Sequence, residues 1–163
     1  MKGELVMLVK NDAKGMTMRK LHPADEKPEG VEIPEAYCGA QPLDVPSDVK
    51  AFFGKTGRWW GTWKSPQVGG KYDAVLAVRE IYQRDGCWEA KIIYASAPYP
   101  KWYVEGGNWE RVGSFIRKPS GKMLLSVRHP TVGVMEFWFD KNRLHGKLSM
   151  RFMLLRISLR PVP

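Results

Sequence analysis

Between residues 57 and 160 the chain is a succession of eight runs in which apolar and polar residues alternate. They span about 57–65, 71–82, 87–97, 107–118, 121–128, 132–140, 142–148 and 150–160. Turn-forming residues separate them: Pro66 to Gly70, Asp85-Gly86, Pro98 to Gly106, Pro119-Ser120-Gly121, Pro130, Lys141-Asn142 and Leu148-Ser149. A period of two puts alternate side chains on opposite faces, so each run reads as a β-strand. Links this short join antiparallel neighbours, because a parallel pair needs a long crossover. No amphipathic helix interrupts the series. The chain is therefore expected to be all-β. Eight antiparallel strands in up-and-down order most simply close into a barrel, which leaves no edge unpaired. A two-sheet sandwich is the competing arrangement.

The texture is different before residue 46. Pro23, Pro28, Pro34 and Pro42 rule out one long helix there, since each removes a donor and clashes with the preceding turn. Residues 1–45 read as an extended, loop-rich segment, and residues 46–163 as the barrel domain. A short N-terminal helix is expected over 47–53, with Ser47 as cap, Asp48 at its positive end and Gly54 as terminator. The whole chain of 163 residues suits one domain with its own core. At 44% hydrophobic and 26% charged it is neither disordered nor collagen-like. No apolar run reaches the ~18–20 residues of a membrane span. The apolar stretch Leu5 to Val9 is followed by Lys10, Asn11 and Asp12, so no signal peptide is read and a cytoplasmic location is expected.

The net charge is +9, unevenly placed. Residues 1–45 hold six Lys/Arg against eight Asp/Glu, and the remainder holds 20 against 9. A basic body suits anionic ligands or polyanions, or else is simply a solvated surface. Cys38 and Cys87 read as reduced thiols, with a disulfide between them as the alternative. They cannot make a zinc site alone. His22, His129 and His145 fall in three separate segments. No metal site and no cofactor are expected.

Two closely spaced G-x-W units, Gly57-Arg58-Trp59 and Gly61-Thr62-Trp63, open the first strand after the short helix. Tyr94-Ala95, Leu144, Gly146 and a closing Leu159-Arg160 follow in order. Over residues 50–162 this pattern resembles a group of small bacterial lipocalin-like (calycin-type) barrel domains of unknown function. The resemblance implies a barrel with ligand-binding capacity and brings no catalytic residues. It also implies that a basic residue of the last strand, Arg160 or else Arg156, packs over the G-x-W tryptophan at the closed end. A guanidinium over an indole gains about 0.5–2 kcal/mol. Trp59 and Trp63, sharing one face, are expected in the core.

Enzyme motifs are missing. Gly54-Lys55-Thr56 looks like the tail of a phosphate loop, but its first glycine would fall at Val49 and it follows a helix instead of a strand. Glu80, Glu89, Glu110 and Glu136 lie on strands, and a hydrolytic pair would need two of them in one cleft. Alternation puts Glu80 on the face of Leu76 and Val78, facing inward, where it is a candidate partner for Arg111. No catalytic residue is assigned.

The candidate ligand-binding residues are Trp88 and Tyr94 on the third strand, Trp109, Arg111 and Phe115 on the fourth, and Phe137 and Phe139 on the sixth. If these faces point inward, the lumen is aromatic with a basic group, suited to an apolar or aromatic ligand carrying an anion. A lumen packed solid is the alternative, since eight strands leave little room. Tyr94 and Trp109 should be neighbours across a hairpin, with Arg111 one pleat deeper. The expected function is non-enzymatic binding of a small hydrophobic or amphiphilic molecule, with a homo-oligomer compatible with it. The alternative is polyanion or single-stranded nucleic-acid binding, through the basic surface and the loop Tyr99-Pro100-Lys101-Trp102-Tyr103.

Overall fold

The structure is a computed structural model that describes the backbone of residues 6–10 and 16–20 and all of residues 44–162. Strands β1 (Val6–Lys10) and β2 (Met16–Lys20) form a two-stranded antiparallel sheet, so the segment expected to be loop-rich contains a paired ladder. A four-residue helix, α1 (Ser47–Lys50), leads into the barrel. The barrel strands are β3 (Arg58–Lys64), β4 (Lys71–Arg84), β5 (Cys87–Ser96), β6 (Gly107–Arg117), β7 (Met123–Arg128), β8 (Val134–Asp140), β9 (Arg143–Ser149) and β10 (Leu154–Pro161). Each pairs antiparallel with its chain neighbours, and β10 returns to β3 to close the barrel. This is the expected up-and-down architecture, with strand ends within four residues of those read from alternation.

The helix is shorter than expected. It stops at Lys50, and 51–56 continue as turns. Ser47 is its first residue, preceded by Pro46, and makes no capping hydrogen bond. Asp48 is tied to Arg117 of β6 at 2.5 Å. Tertiary packing therefore holds this segment, since four residues are too few for a self-stable helix. Val49, Phe52 and Phe53 plug one end of the barrel, each at most 2% exposed. The Phe52 ring meets Phe115 and Phe139 edge-on at 5.3 and 5.1 Å. Trp59 donates from Nε1 to the Phe52 carbonyl at 2.7 Å, locking the plug to β3.

The two motif glycines do different work. Gly57 has φ +75°, a left-handed conformation that L side chains rarely adopt, and it accepts a 2.6 Å bond from the Val78 N–H. Gly61 lies where β3 crosses close to β10. A methyl there would overlap the Ser158 carbonyl and come within 2.9 Å of Ile157 Cγ1. Trp59 and Trp63 both face the core, as expected.

Two orientations differ from expectation. Glu80 points outward and pairs with Lys91 at 3.2 Å. A β-bulge between Val78 and Glu80 adds one residue to β4 and shifts the pleat, so Ile81 turns inward in its place. Arg160 packs over Trp60, 5.2 Å from its ring centre, and not over Trp59 or Trp63. Leu159 faces the core, so its neighbour must face out, where Trp60 lies opposite it. Val75, Ala77, Ile93 and Ala95 are buried on the outward faces of β4 and β5, which is why the run Ala74–Val78 is apolar without alternation. No helix among the described residues is long and apolar enough to cross a membrane.

Candidate ligand site at the open end

Opposite the helical plug, the barrel end is formed by the connections 65–70, 97–106, 129–133 and 150–153. Between the last three lies a cleft of about 530 Å³. Its apolar lining includes Trp102, Val132, Met150 and Met153, with the exposed Tyr103 and Phe152 at its rim. Lys101 and Arg151 also line it, and among the described residues no carboxylate does. The loop aromatics expected to stack on bases are mostly used internally. Tyr99 stacks on Tyr72, Trp102 meets Tyr72 edge-on and is 5% exposed, and only Tyr103 stands in solvent.

A polar layer adjoins this cleft, through Trp102 against Tyr72 and through Thr131 and Val132 bonded to His129. Tyr94 is its centre: Trp63 Nε1 donates to its hydroxyl at 3.0 Å, and the His129 ring meets it edge-on at 5.2 Å. Burial raises the pKa of both Tyr94 and Tyr72, so both remain phenols. Tyr72's buried hydroxyl lies near Tyr94 and has no hydrogen-bond partner among the described residues.

His129 was not singled out by sequence reasoning. It is 3% exposed, in the turn after β7. Nδ1 accepts from the N–H groups of Thr131 and Val132, at 3.1 and 3.2 Å, which places the neutral ring's proton on Nε2. That Nε2–H is buried and has no partner among the described residues. Burial, and secondarily the Arg111 charge, push the imidazole pKa down to about 4. The ring is thus a neutral donor at pH 7. The only advance signal was His129-Pro130-Thr131, a ring nitrogen placed to hold backbone N–H groups in a turn.

Arg111 is on the inward face of β6, opposite Ile92. Its Nη1 donates to the Glu110 carbonyl at 2.9 Å. Glu80, its anticipated partner, is outside, and Glu110 pairs instead with Arg79. The wall is also split here. The β6–β7 ladder covers only Ser114–Arg117 of β6, so the half of β6 that carries Trp109 and Arg111 is not laddered to β7. Tyr94 and Trp109 are register partners with rings stacked at 6.3 Å.

Of the remaining candidates, Trp88 is the second residue of β5, at the plugged end and far from Tyr94. Phe115 and Phe139 are also there, against Phe52. Phe137 is in the middle, 6.3 Å from Trp63. This middle layer is filled by side chains: Trp63, Phe137, Leu125, Leu144, Leu148 and Leu155 are each at most 1% exposed. Among the described residues no group of three His, Cys, Asp or Glu converges to hold a metal. Cys87 is exposed, and Cys38 lies outside the described residues. No family model matches this chain, and neither a curated protein nor a solved structure does.

Proposed function

We propose that this barrel, as a lipocalin-like module, binds a small apolar or aromatic molecule carrying an anionic group, at the open end and without catalysis. The observation that carries this reading is the buried Nε2–H of His129, which has no acceptor among the described residues, feels the Arg111 charge, and belongs to the turn that lines an apolar cleft. A buried donor left without an acceptor costs roughly 1–3 kcal/mol, and an acceptor that fills it recovers that energy. A ligand anion satisfies the His129 donor and the Arg111 charge together. Trp109 and Tyr94 supply ring faces at the split between β6 and β7, and Trp102, Met150 and Met153 supply apolar contact above. Phe115, Phe137, Phe139 and Trp88 act in this reading as barrel packing.

The test is titration with 8-anilinonaphthalene-1-sulfonate, an aromatic sulfonate, followed by fluorescence. Saturable binding that weakens at least tenfold in Arg111→Met, and is unchanged in Arg84→Gln at the end of β4, supports the site. Equal binding by both variants and the parent would refute it. Native mass spectrometry of protein purified from its host would identify the natural ligand by mass.

A further inference from the structure

The outer face of the barrel carries a second arrangement, separate from the open-end site and independent of its reading. Register aligns Lys147 of β9 with Arg156 of β10, Arg156 with Lys64 of β3, and Lys64 with Lys71 of β4. Four cations therefore occupy one transverse row across four adjacent strands. Steps of ~4.8 Å between strands make the row about 14 Å long. Like charges directly opposite one another destabilise a sheet. Of the four, Lys147 has an acid partner, Glu136 at 3.3 Å. Lys64, Arg156 and Lys71 are exposed and form no ion pair among the described residues. A fold gains nothing from such a row by itself, whereas an extended anion lying across it would relieve the repulsion.

The next row along the strands carries planar and hydroxyl groups. Trp138 is opposite His145, which is opposite Ser158. The Trp138 and His145 rings stack at 6.3 Å, and Lys122 sits 5.1 Å from the Trp138 ring. One row further, Arg160 is stacked on Trp60. A groove of about 670 Å³ runs over this face, lined by Lys64, Arg156, Arg160, Arg143 and His145 and, among the described residues, by no carboxylate. Cations in a row beside stacked planar groups are the combination that holds a polyphosphate backbone while offering surfaces to bases.

We infer that the outer face of β9, β10 and β3 binds single-stranded nucleic acid, with the Lys147–Arg156–Lys64–Lys71 row on the phosphates and the His145 and Arg160 planes toward the bases. The row's length suits three or four phosphates of one strand. For single strands log Kobs falls with log[salt] by about 0.7 per phosphate neutralised, so four contacts predict a slope near −3.

The experiment is fluorescence anisotropy of the full chain with a fluorescein-labelled oligothymidylate 15-mer between 50 and 200 mM NaCl. The parent should show a slope near −3, and the double variant Lys64→Gln/Arg156→Gln a slope about 1.4 shallower. Arg84→Gln, which removes a charge at the distant β4–β5 hairpin, should leave the slope unchanged. The double variant should melt no lower than the parent, because it relieves like-charge contacts; a lower melting temperature would mean that the row is structural. No binding at 50 mM salt, equal loss in Arg84→Gln, or binding only to phosphatidylserine vesicles and not to the oligonucleotide would each overturn the proposal.

Discussion

The buried imidazole of His129 makes stability depend on pH in a defined window. Its pKa in the folded protein is about 4, against 6.5 for an ordinary histidine. Between these values the unfolded chain takes up a proton that the folded chain refuses. Stability must therefore fall as pH drops from about 6.5 to about 4, and be fully retained above that range. At 1.36 kcal/mol per pH unit the loss amounts to about 3 kcal/mol, a large share of a typical 5–15 kcal/mol. Carboxylates also titrate at the lower end, so a variant must isolate the histidine. His129→Asn keeps a side-chain acceptor near the Thr131 and Val132 N–H groups and cannot titrate. Urea unfolding at pH 7, 6, 5 and 4 should show the parent losing about 3 kcal/mol more than the variant. Parallel stability curves for the two proteins would refute the burial argument.

Other substitutions probe packing. Trp63→Ala removes a fully buried indole and should cost about 3–5 kcal/mol by denaturant unfolding. Trp63→Phe, which leaves the ring volume largely filled but strips the Tyr94 hydroxyl of its donor, should cost about 1–3 kcal/mol. Gly61→Ala forces a methyl against the Ser158 carbonyl and should lower stability by about 1–3 kcal/mol, with a drop in melting temperature as the readout. Glu80→Gln breaks only an exposed pair with Lys91 and should change stability by less than about 1 kcal/mol; a larger loss would put Glu80 back inside the barrel. The exposed Cys87 should react with a maleimide in the folded protein at a rate close to that in urea.

Alternation and turn residues together made the barrel legible. Both are local properties, and a hairpin meander is built almost wholly from local pairings. The pairing of Tyr94 with Trp109 also followed, because hairpin register is set by the link between the strands. What failed was the assumption of unbroken period. Val78-Arg79-Glu80-Ile81 places two charged residues between two apolar ones, and strict alternation would bury one of them. The bulge resolves this by sending both out, so the break in pattern was its footprint. Arg160 was misassigned for a similar reason: Leu159 claims the core face, and Arg160 cannot share it. The length of α1 was not legible, because tertiary contacts of Phe52 and Asp48 decide it. His129 was missed because its role comes from the split between β6 and β7, a non-local feature, whereas His129-Pro130-Thr131 by itself marks only a turn.

Closure between the last and first barrel strands has a kinetic consequence. The β10–β3 seam joins residues about a hundred positions apart, and Thr56 donates to the Val162 carbonyl across 106 positions. Every other seam joins strands adjacent in the chain. During synthesis the hairpins from β3 to β9 can form as they emerge, yet β3 and β9 remain open edges until β10 arrives. The loop-closure entropy of that final seam grows only slowly with length, but it is recovered by nothing until the whole ladder registers. Refolding should therefore be paced by a late, cooperative closure on the millisecond-to-second scale of non-local β folds. A ribosome-stalled chain lacking β10 would present two unpaired strands as templates for self-association.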